Sequence, residues 1–333
     1  ASNPLVLEAL AASGRRPGDY SSKLDFRLDP EQRADAAAKE ILLHLLETIE
    51  ANVPGTRSNL DSEFLHDLRV AVRRTRSALT QIRSVFPPEL VAEYKERFAW
   101  VGQVTGPVRD LDVYLLEFPG YQESLPEPMR PHLKPLREFL LSHYGESQRA
   151  LAAQLDSRRF RRLLRDWRAF LEAPVPERSV VANAMRPTKG VADARIWRMY
   201  RRVRREGRAI GASSPPEELH ELRKSCKKLR YLIEFFSSLY PGGEVRRLVK
   251  LLRRLLDNLG NFQDLAVQAG HLRELAEKMR EQGCADTDTL LTMGVLVGDL
   301  LDRQQVARRE FAGTFAKFDG EENHARFKSL FAP

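Results

Sequence analysis

The sequence predicts an all-α protein of two helical bundles, about four helices or more each, related by an internal repeat and pseudo-twofold symmetry. Three observations predict it. Apolar residues recur at three- and four-residue spacing along most of the chain, no stretch alternates with period two, and one long segment overlays another when the sequence is shifted by 154 residues. The 333 residues suffice for about two domains or one large repeated unit. With 54 Lys and Arg against 46 Asp and Glu, a net charge of +8, and 42% hydrophobic residues, the composition is that of a folded globular chain. Two cysteines, Cys226 and Cys284, cannot build a disulfide framework, and a reducing compartment is expected. The longest apolar stretch, near Leu290 to Leu301, is broken by Gly294, Gly298 and Asp299, well short of the about 20 residues that span a bilayer. The first 20 residues lack the charged and apolar segments of a signal peptide, so a cytoplasmic protein without membrane attachment is expected.

The elements follow in order. Glu31 to Ile49 reads as an amphipathic helix, with Ile41, Leu42, Leu45, Leu46 and Ile49 on one side. The same spacing predicts helices over Asp61–Phe86, Glu89–Val101, Arg130–Leu155 and Ser157–Leu171, then Val191–Ile210, Pro216–Leu239, Glu244–Leu259, Leu265–Glu281 and Thr287–Phe318. Breaks fall at Pro87-Pro88, Gly106-Pro107, Pro126 to Pro131, Pro174 to Pro176, Pro187, Pro215-Pro216 and Pro241-Gly242-Gly243. Gly106 and Gly260 read as turn residues.

In the repeat, Leu65-His66-x-Leu68-Arg69 overlays Leu219-His220-x-Leu222-Arg223, and Arg73-Arg74-x-Arg76 overlays Lys227-Lys228-x-Arg230. Phe86-Pro87 falls on Tyr240-Pro241, Gly106 on Gly260, and Asp110-Leu111-x-Val113 on Asp264-Leu265-x-Val267. A weaker echo links Arg159-Phe160-Arg161 to Arg326-Phe327-Lys328. The chain therefore divides into an N-terminal extension, 1–27, expected to be flexible, a first half, 28–178, and a second half, 179–333.

A helix turns about 100° per residue, so His66, Arg69, Arg73 and Arg76 share a stripe about 80° wide, as do His220, Arg223, Lys227 and Arg230. Leu68, Val72, Leu79 and Ile82 form a core face beside the stripe, matched by Leu222, Cys226, Ile233 and Phe236. Like charges at helical spacing repel unless something anionic lies along them. Either carboxylates on neighbouring helices neutralise the stripe, or it faces water, or it meets an anionic ligand; finding the same stripe twice favours a ligand. Residues 195–254 alone carry a net charge of +11, more than the whole chain. Supporting cations are Arg198, Arg201, Arg202 and Arg205 on one helix, Lys250, Arg253 and Arg254 on another, and Arg161, Arg162 and Arg165 in the first half. Clustered positive charge over several helices implies a polyanionic partner. Arginine's planar fork suits phosphate oxygens. Nucleic-acid readers add aromatic platforms or a helix aimed at base edges, whereas these stripes hold no aromatic residue and Trp100, Trp167 and Trp197 read mostly as core. Inorganic polyphosphate, a flexible phosphate chain without bases, fits best; nucleic acid stays open.

These residues resemble a known family. The paired His-x-x-Arg-Val-x-x-Arg-Arg-x-Arg and His-x-x-Arg-Lys-x-x-Lys-Lys-Leu-Arg-Tyr segments, each followed 44 residues after its histidine by an aspartate, resemble the CHAD family of conserved-histidine α-helical domains. The resemblance runs from about Leu28 to Phe331. It implies two pseudo-symmetric helical bundles, a basic surface or central pore that binds inorganic polyphosphate, association with polyphosphate granules, and no catalytic activity. It places binding at His66, Arg69, Arg73, Arg74 and Arg76, and at His220, Arg223, Lys224, Lys227, Lys228 and Arg230. Some relatives add a triphosphate-tunnel domain; its Glu-x-Glu-x-Lys signature is not found here, and the chain reads as a stand-alone domain.

Each histidine is either a phosphate ligand or a packing residue; an ordinary pKa of about 6.5 makes both charge states accessible. Asp110 and Asp264 are expected to orient stripe arginines or cap a helix. Arg109 faces a Gln263 counterpart, so any role there belongs to one half only. An enzymatic reading rests on His66-Asp67, which is similar to the metal-binding pair of HD-type phosphohydrolases. The second copy reads His220-Glu221, adjacent helical side chains diverge, and cations at the next turns oppose a divalent ion. No phosphate loop, His-Glu-x-x-His or cysteine cluster appears. The expectation is a binding protein that is not an enzyme and needs no metal or cofactor, with Cys226 as core packing.

Overall fold

The computed structural model describes Leu24 and residues 26–332, and these form helices joined by turns and loops, with one isolated β-bridge joining Arg33 to Pro187 among them. Most of the extension assigned to residues 1–27 lies outside the described residues. Eleven α-helices follow among the described residues: α1 (Ala34–Arg57), α2 (Ser62–Gln81), α3 (Pro88–Val104), α4 (Gly106–Ser124), α5 (Lys134–Leu155), α6 (Arg158–Glu172), α7 (Thr188–Ala209), α8 (Pro216–Phe235), α9 (Gly242–Glu281), α10 (Thr287–Asp319) and α11 (Glu321–Phe331). Tighter 3-10 turns occupy Glu127–Leu133 and Ser237–Leu239.

The apolar periodicity places nine of these helices, and the structure moves their ends. α1 continues past Ile49 through Pro54 to Arg57, stabilised inside by the Asn52 amide donating to the Thr48 carbonyl at 2.8 Å. α2 starts where Asp61 caps it, its carboxylate accepting from the Glu63 amide at 2.8 Å. It stops at Gln81, before Phe86, because the chain turns through Ser84, whose φ is +58°. α8 likewise gives way to a 3-10 turn before Leu239.

Three expectations were wrong in kind. Gly106-Pro107 reads as a break, yet it opens α4. Only Thr105 separates α3 from α4, in a right-handed helical conformation, and Pro107 fits a first turn, where its missing N–H costs nothing. α4 then runs through Pro119, so two prolines and Gly120 had hidden a helix. Leu259 to Leu265 is not a turn either. α9 is one helix of 40 residues, about 60 Å long, with Gly260 buried in its middle. A Cβ at Gly260 would lie 3.8 Å from Arg223 Nη2, an ordinary contact, so the glycine marks neither a bend nor a position closed to a side chain. α11 carried too weak an echo to be read as a helix; it buries Phe327 and Phe331.

Two apolar clusters hold the helices. The larger joins α1, α2, α3, α6, α7, α8, the N-terminal half of α9 and the C-terminal part of α10, around residues such as Trp167, Tyr200 and Phe98. The smaller joins Tyr114, Phe118 and Tyr121 of α4, Leu136 and Leu140 of α5, Leu272 and Met279 of α9, and Met293, Leu296 and Leu300 of α10. Each cluster draws on both sides of the 178/179 division. α9 and α10 form a long antiparallel hairpin, turned at Gly283 with φ +67° and recapped by Asp286, which accepts from the Thr289 amide at 2.7 Å. Among the described residues no helix is long and apolar enough to cross a membrane.

Candidate functional site

α2 and α8 pack against each other. Each buries the apolar side expected of it: Leu68, Val72, Leu79 and Ile82 on one, Leu222, Cys226, Ile233 and Phe236 on the other. Cys226 is enclosed, its thiol pushed far up by burial. With those faces committed to the core, the cationic stripes are left along the line where the helices meet.

The first stripe is supported by α3 and α4. Arg69 Nη1 donates to the Gly102 carbonyl at 3.0 Å and to Thr105 Oγ1 at 2.7 Å, which anchors it at the α3–α4 junction. Arg109 Nη2 lies 3.0 Å from His66 Nδ1. A guanidinium only donates, so Nδ1 is the acceptor and the ring proton sits on Nε2. Burial first, then the Arg109 charge, hold the His66 pKa below its ordinary value, so the ring is neutral at pH 7 and presents an N–H donor. Arg73 is exposed, with no ion pair or hydrogen bond among the described residues. Arg76 is half-buried and its Nε has no hydrogen-bond partner among the described residues. Asp110 lines a cleft with His271, and its charge acts on Arg69 and Arg109 without a close ion pair.

The second stripe differs in detail. His220 Nδ1 faces Gln263 Oε1 at 3.1 Å, the geometry of a ring N–H donating to an amide oxygen. Each histidine is thus fixed by the side chain 43 residues later. Asp264 takes the orienting role directly, with its oxygens 3.0 and 3.2 Å from Arg223 Nη2. Lys227 is half-buried and pushed down to about 8, first by burial, then by the charges of Arg223 and of Arg73 on the facing helix. Arg73 of α2 and Lys227 of α8 therefore lie near enough for their charges to repel.

Not every stripe cation is available. Glu234, near the end of α8, lies 3.1 Å from Arg74, 3.6 Å from Arg230 and 3.8 Å from Arg253. Arg74 and Arg230 also lie over the Tyr231 ring, at 6.0 and 5.2 Å. Lys224 is paired with Glu221 at 2.5 Å. Burial, then the nearby charge of Arg202 on α7, hold the Lys228 pKa below the ordinary lysine value. Sequence reasoning missed Glu234, whose partner Arg74 is 160 residues away and leaves no local signal.

The supporting cations do not share one groove. Arg198, Arg201, Arg202 and Arg205 line a cleft of about 660 Å³ with Arg83 and Arg195 beside α8. Arg195 is buried, donates to the Gln81 carbonyl at 2.7 Å, and is pushed down to about 10 by burial and by Arg83 and Arg198. Lys250 and Arg254 are exposed on α9. Arg161, Arg162 and Arg165 open on a separate cleft of about 950 Å³, because Phe160, Leu163, Trp167 and Leu171 take the inner face of α6. Trp167 is core as expected, whereas Trp100 and Trp197 are only partly buried and stand among arginines. No group of three or more His, Cys, Asp or Glu side chains that could hold a metal ion is found among the described residues.

Residues 40–273 match the CHAD domain family. The chain belongs to the CHAD family. An uncharacterised protein of Mycobacterium tuberculosis, known from two strains, is 26% identical over 319 residues and matches 93% of this CHAD chain. The match covers 57% of that relative, so this chain spans little more than half its length. The crystal structure of the CHAD domain from the plant Ricinus communis superposes with a TM-score of 0.72 at 24% identity, covering 95% of this chain and 99% of that one. PptA from Streptomyces chartreusis gives 0.66 at 17% identity, covering 85% and 99%. At these identities both structures establish the all-helical CHAD fold.

Proposed function

We propose that this CHAD protein binds inorganic polyphosphate in the groove between α2 and α8, without catalysis. The observation that carries the reading is Lys227, half-buried beside the like charges of Arg223, Arg73 and Arg230 and offset only in part by Asp264: an anion entering there would relieve the repulsion. Arg69, Arg223 and the His66 N–H would add donors along the same line, and a chain of linked phosphates offers an acceptor at each step. The association of CHAD domains with polyphosphate supports the choice of ligand. His66 suits a donor rather than a proton-abstracting base, since its unprotonated nitrogen is occupied by Arg109. We further infer that residues 28–178 and 179–333 are two copies of one unit about a pseudo-twofold axis, supported by the equal 43-residue spacing of the His66–Arg109 and His220–Gln263 contacts. Binding of this kind would carry the protein to cytoplasmic polyphosphate granules.

A titration at two salt concentrations tests the reading. Long-chain polyphosphate is expected to bind far more tightly than pyrophosphate and to weaken steeply with salt as counterions are released. Single-stranded DNA at equal phosphate concentration should leave groove-bound polyphosphate in place; displacement would favour nucleic acid as the groove's ligand. Binding independent of chain length would overturn the proposal.

Lys227 adds a pH dependence. Its pKa is about 8 in the free protein, and a bound polyanion raises it, so affinity should fall as pH rises from 7 to 9. Stability of the free protein moves the other way. Between about 8 and the ordinary lysine value of about 10.4 the unfolded chain binds more protons, so stability rises with pH there. Lys227→Met should flatten the pH dependence of affinity.

A further inference from the structure

The cleft between α3 and α6 combines a partly exposed indole with a cluster of exposed arginines. Arg159 extends over Trp100, with Cζ 4.2 Å from the ring centre, and its own side chain is exposed. We propose that this cleft is a binding site for single-stranded nucleic acid, in which the guanidinium of Arg159, stacked on Trp100, offers its outer face to an unpaired base while neighbouring arginines hold the phosphates.

The site is distinct from the groove. Gly102 turns toward α2, where its carbonyl accepts from Arg69 and its Cα faces Arg76. Trp100 precedes it by two residues, about 200° away around α3, and so faces α6. The rotation of α6 is fixed by the burial of Phe160, Leu163, Trp167 and Leu171, which sends Arg158, Arg159, Arg161 and Arg162 outward.

The charge of the cleft is unbalanced. Arg97 is paired with Glu93 at 2.6 Å and Asp166 at 3.6 Å, and Arg165 with Asp166 at 2.8 Å. Arg158, Arg159, Arg161 and Arg162 form no ion pair among the described residues. Four unpaired guanidiniums call for an anion. The Arg159–Trp100 contact narrows the choice, because a guanidinium lying over an indole can support a planar base, and planar side chains flanked by cations are how single strands are held without sequence preference. A chain of bare phosphates makes no use of it.

The test compares an oligothymidylate of about 12 nucleotides with an abasic strand of the same length, at about 0.15 M salt. The two carry the same phosphates, so their affinity ratio isolates the bases. The intact strand is expected to bind about tenfold more tightly and to quench tryptophan fluorescence. Arg159→Lys keeps the charge but removes the planar fork, and should bring the ratio to one while polyphosphate affinity is unchanged. Trp100→Leu should do the same; because that ring also leans on the core, the exposed Arg159 variant decides if the first folds poorly. Arg73→Ala/Lys227→Ala, in the groove, should leave the ratio intact, so this site and the groove can fail independently. A ratio of one in the unaltered protein overturns the proposal and leaves the cleft as a further polyphosphate surface. A ratio that survives Arg159→Lys also overturns it, since the bases would then be bound elsewhere.

Discussion

Replacing Arg73 and Lys227 together by alanine is expected to weaken long-chain polyphosphate binding by about 100-fold at low salt, with helicity unchanged. Hydrogen bonds to charged groups contribute about 1.5–3 kcal/mol each, so losing two at the lower figure costs about 3 kcal/mol, or two powers of ten. Neither residue holds the fold. Arg73 is exposed and forms no ion pair among the described residues. Lys227 is destabilised by burial, so its removal relieves a strain in the free protein. Arg69 would be a poorer choice, since it anchors Gly102 and Thr105. Isothermal calorimetry with circular dichroism as a folding control checks the result, and Lys134→Ala on exposed α5, paired only with Glu138, should change nothing. If the double variant binds normally, the stripes are structural and the groove reading falls.

Glu234→Gln should move stability and affinity in opposite directions. This carboxylate is 15% exposed and neutralises Arg74 and, at longer range, Arg230 and Arg253. Making it neutral leaves three guanidiniums crowded against the Arg73–Lys227 pair, and removing one partner of an enclosed ion pair is costly. A loss of about 2 kcal/mol in urea unfolding is expected, discounted from the fully buried case because the partners are partly solvated. Arg230 and Arg253 would then lack this carboxylate, so polyphosphate affinity should rise and added polyphosphate should recover much of the lost stability. A variant that loses stability without binding more tightly would mean that Glu234 only joins α2 to α8 and does not compete with ligand.

Much of the fold was legible because its signal is local. Three- and four-residue apolar spacing placed nine helices, and the histidine-led stripes were placed by angle alone, since Leu68 and Leu222 had to turn inward. What could not be read depends on distant partners. Gly260 looks like a break, yet the packing of Leu256, Leu259 and Phe262 on the larger core carries α9 through it. Pro107, Pro119 and Gly120 mask α4, whose Tyr114, Phe118 and Tyr121 earn their place only against α5, α9 and α10. Arg74 lies on the edge of a stripe by sequence, and only the arrival of Glu234 from 160 residues away commits it. Trp100 shows the limit of reading hydrophobicity as depth: an indole can lean on the core and still support an arginine at the surface.

The 40-residue α9 is a beam shared by two rooms. Its first half is built into the larger core through Leu248 and Leu252, and its far end into the smaller through Leu272 and Met279. Asp264, which steadies Arg223, sits between them. Loosening the packing around Met279 would therefore act on the same helix that carries Asp264, and so on the carboxylate that holds Arg223.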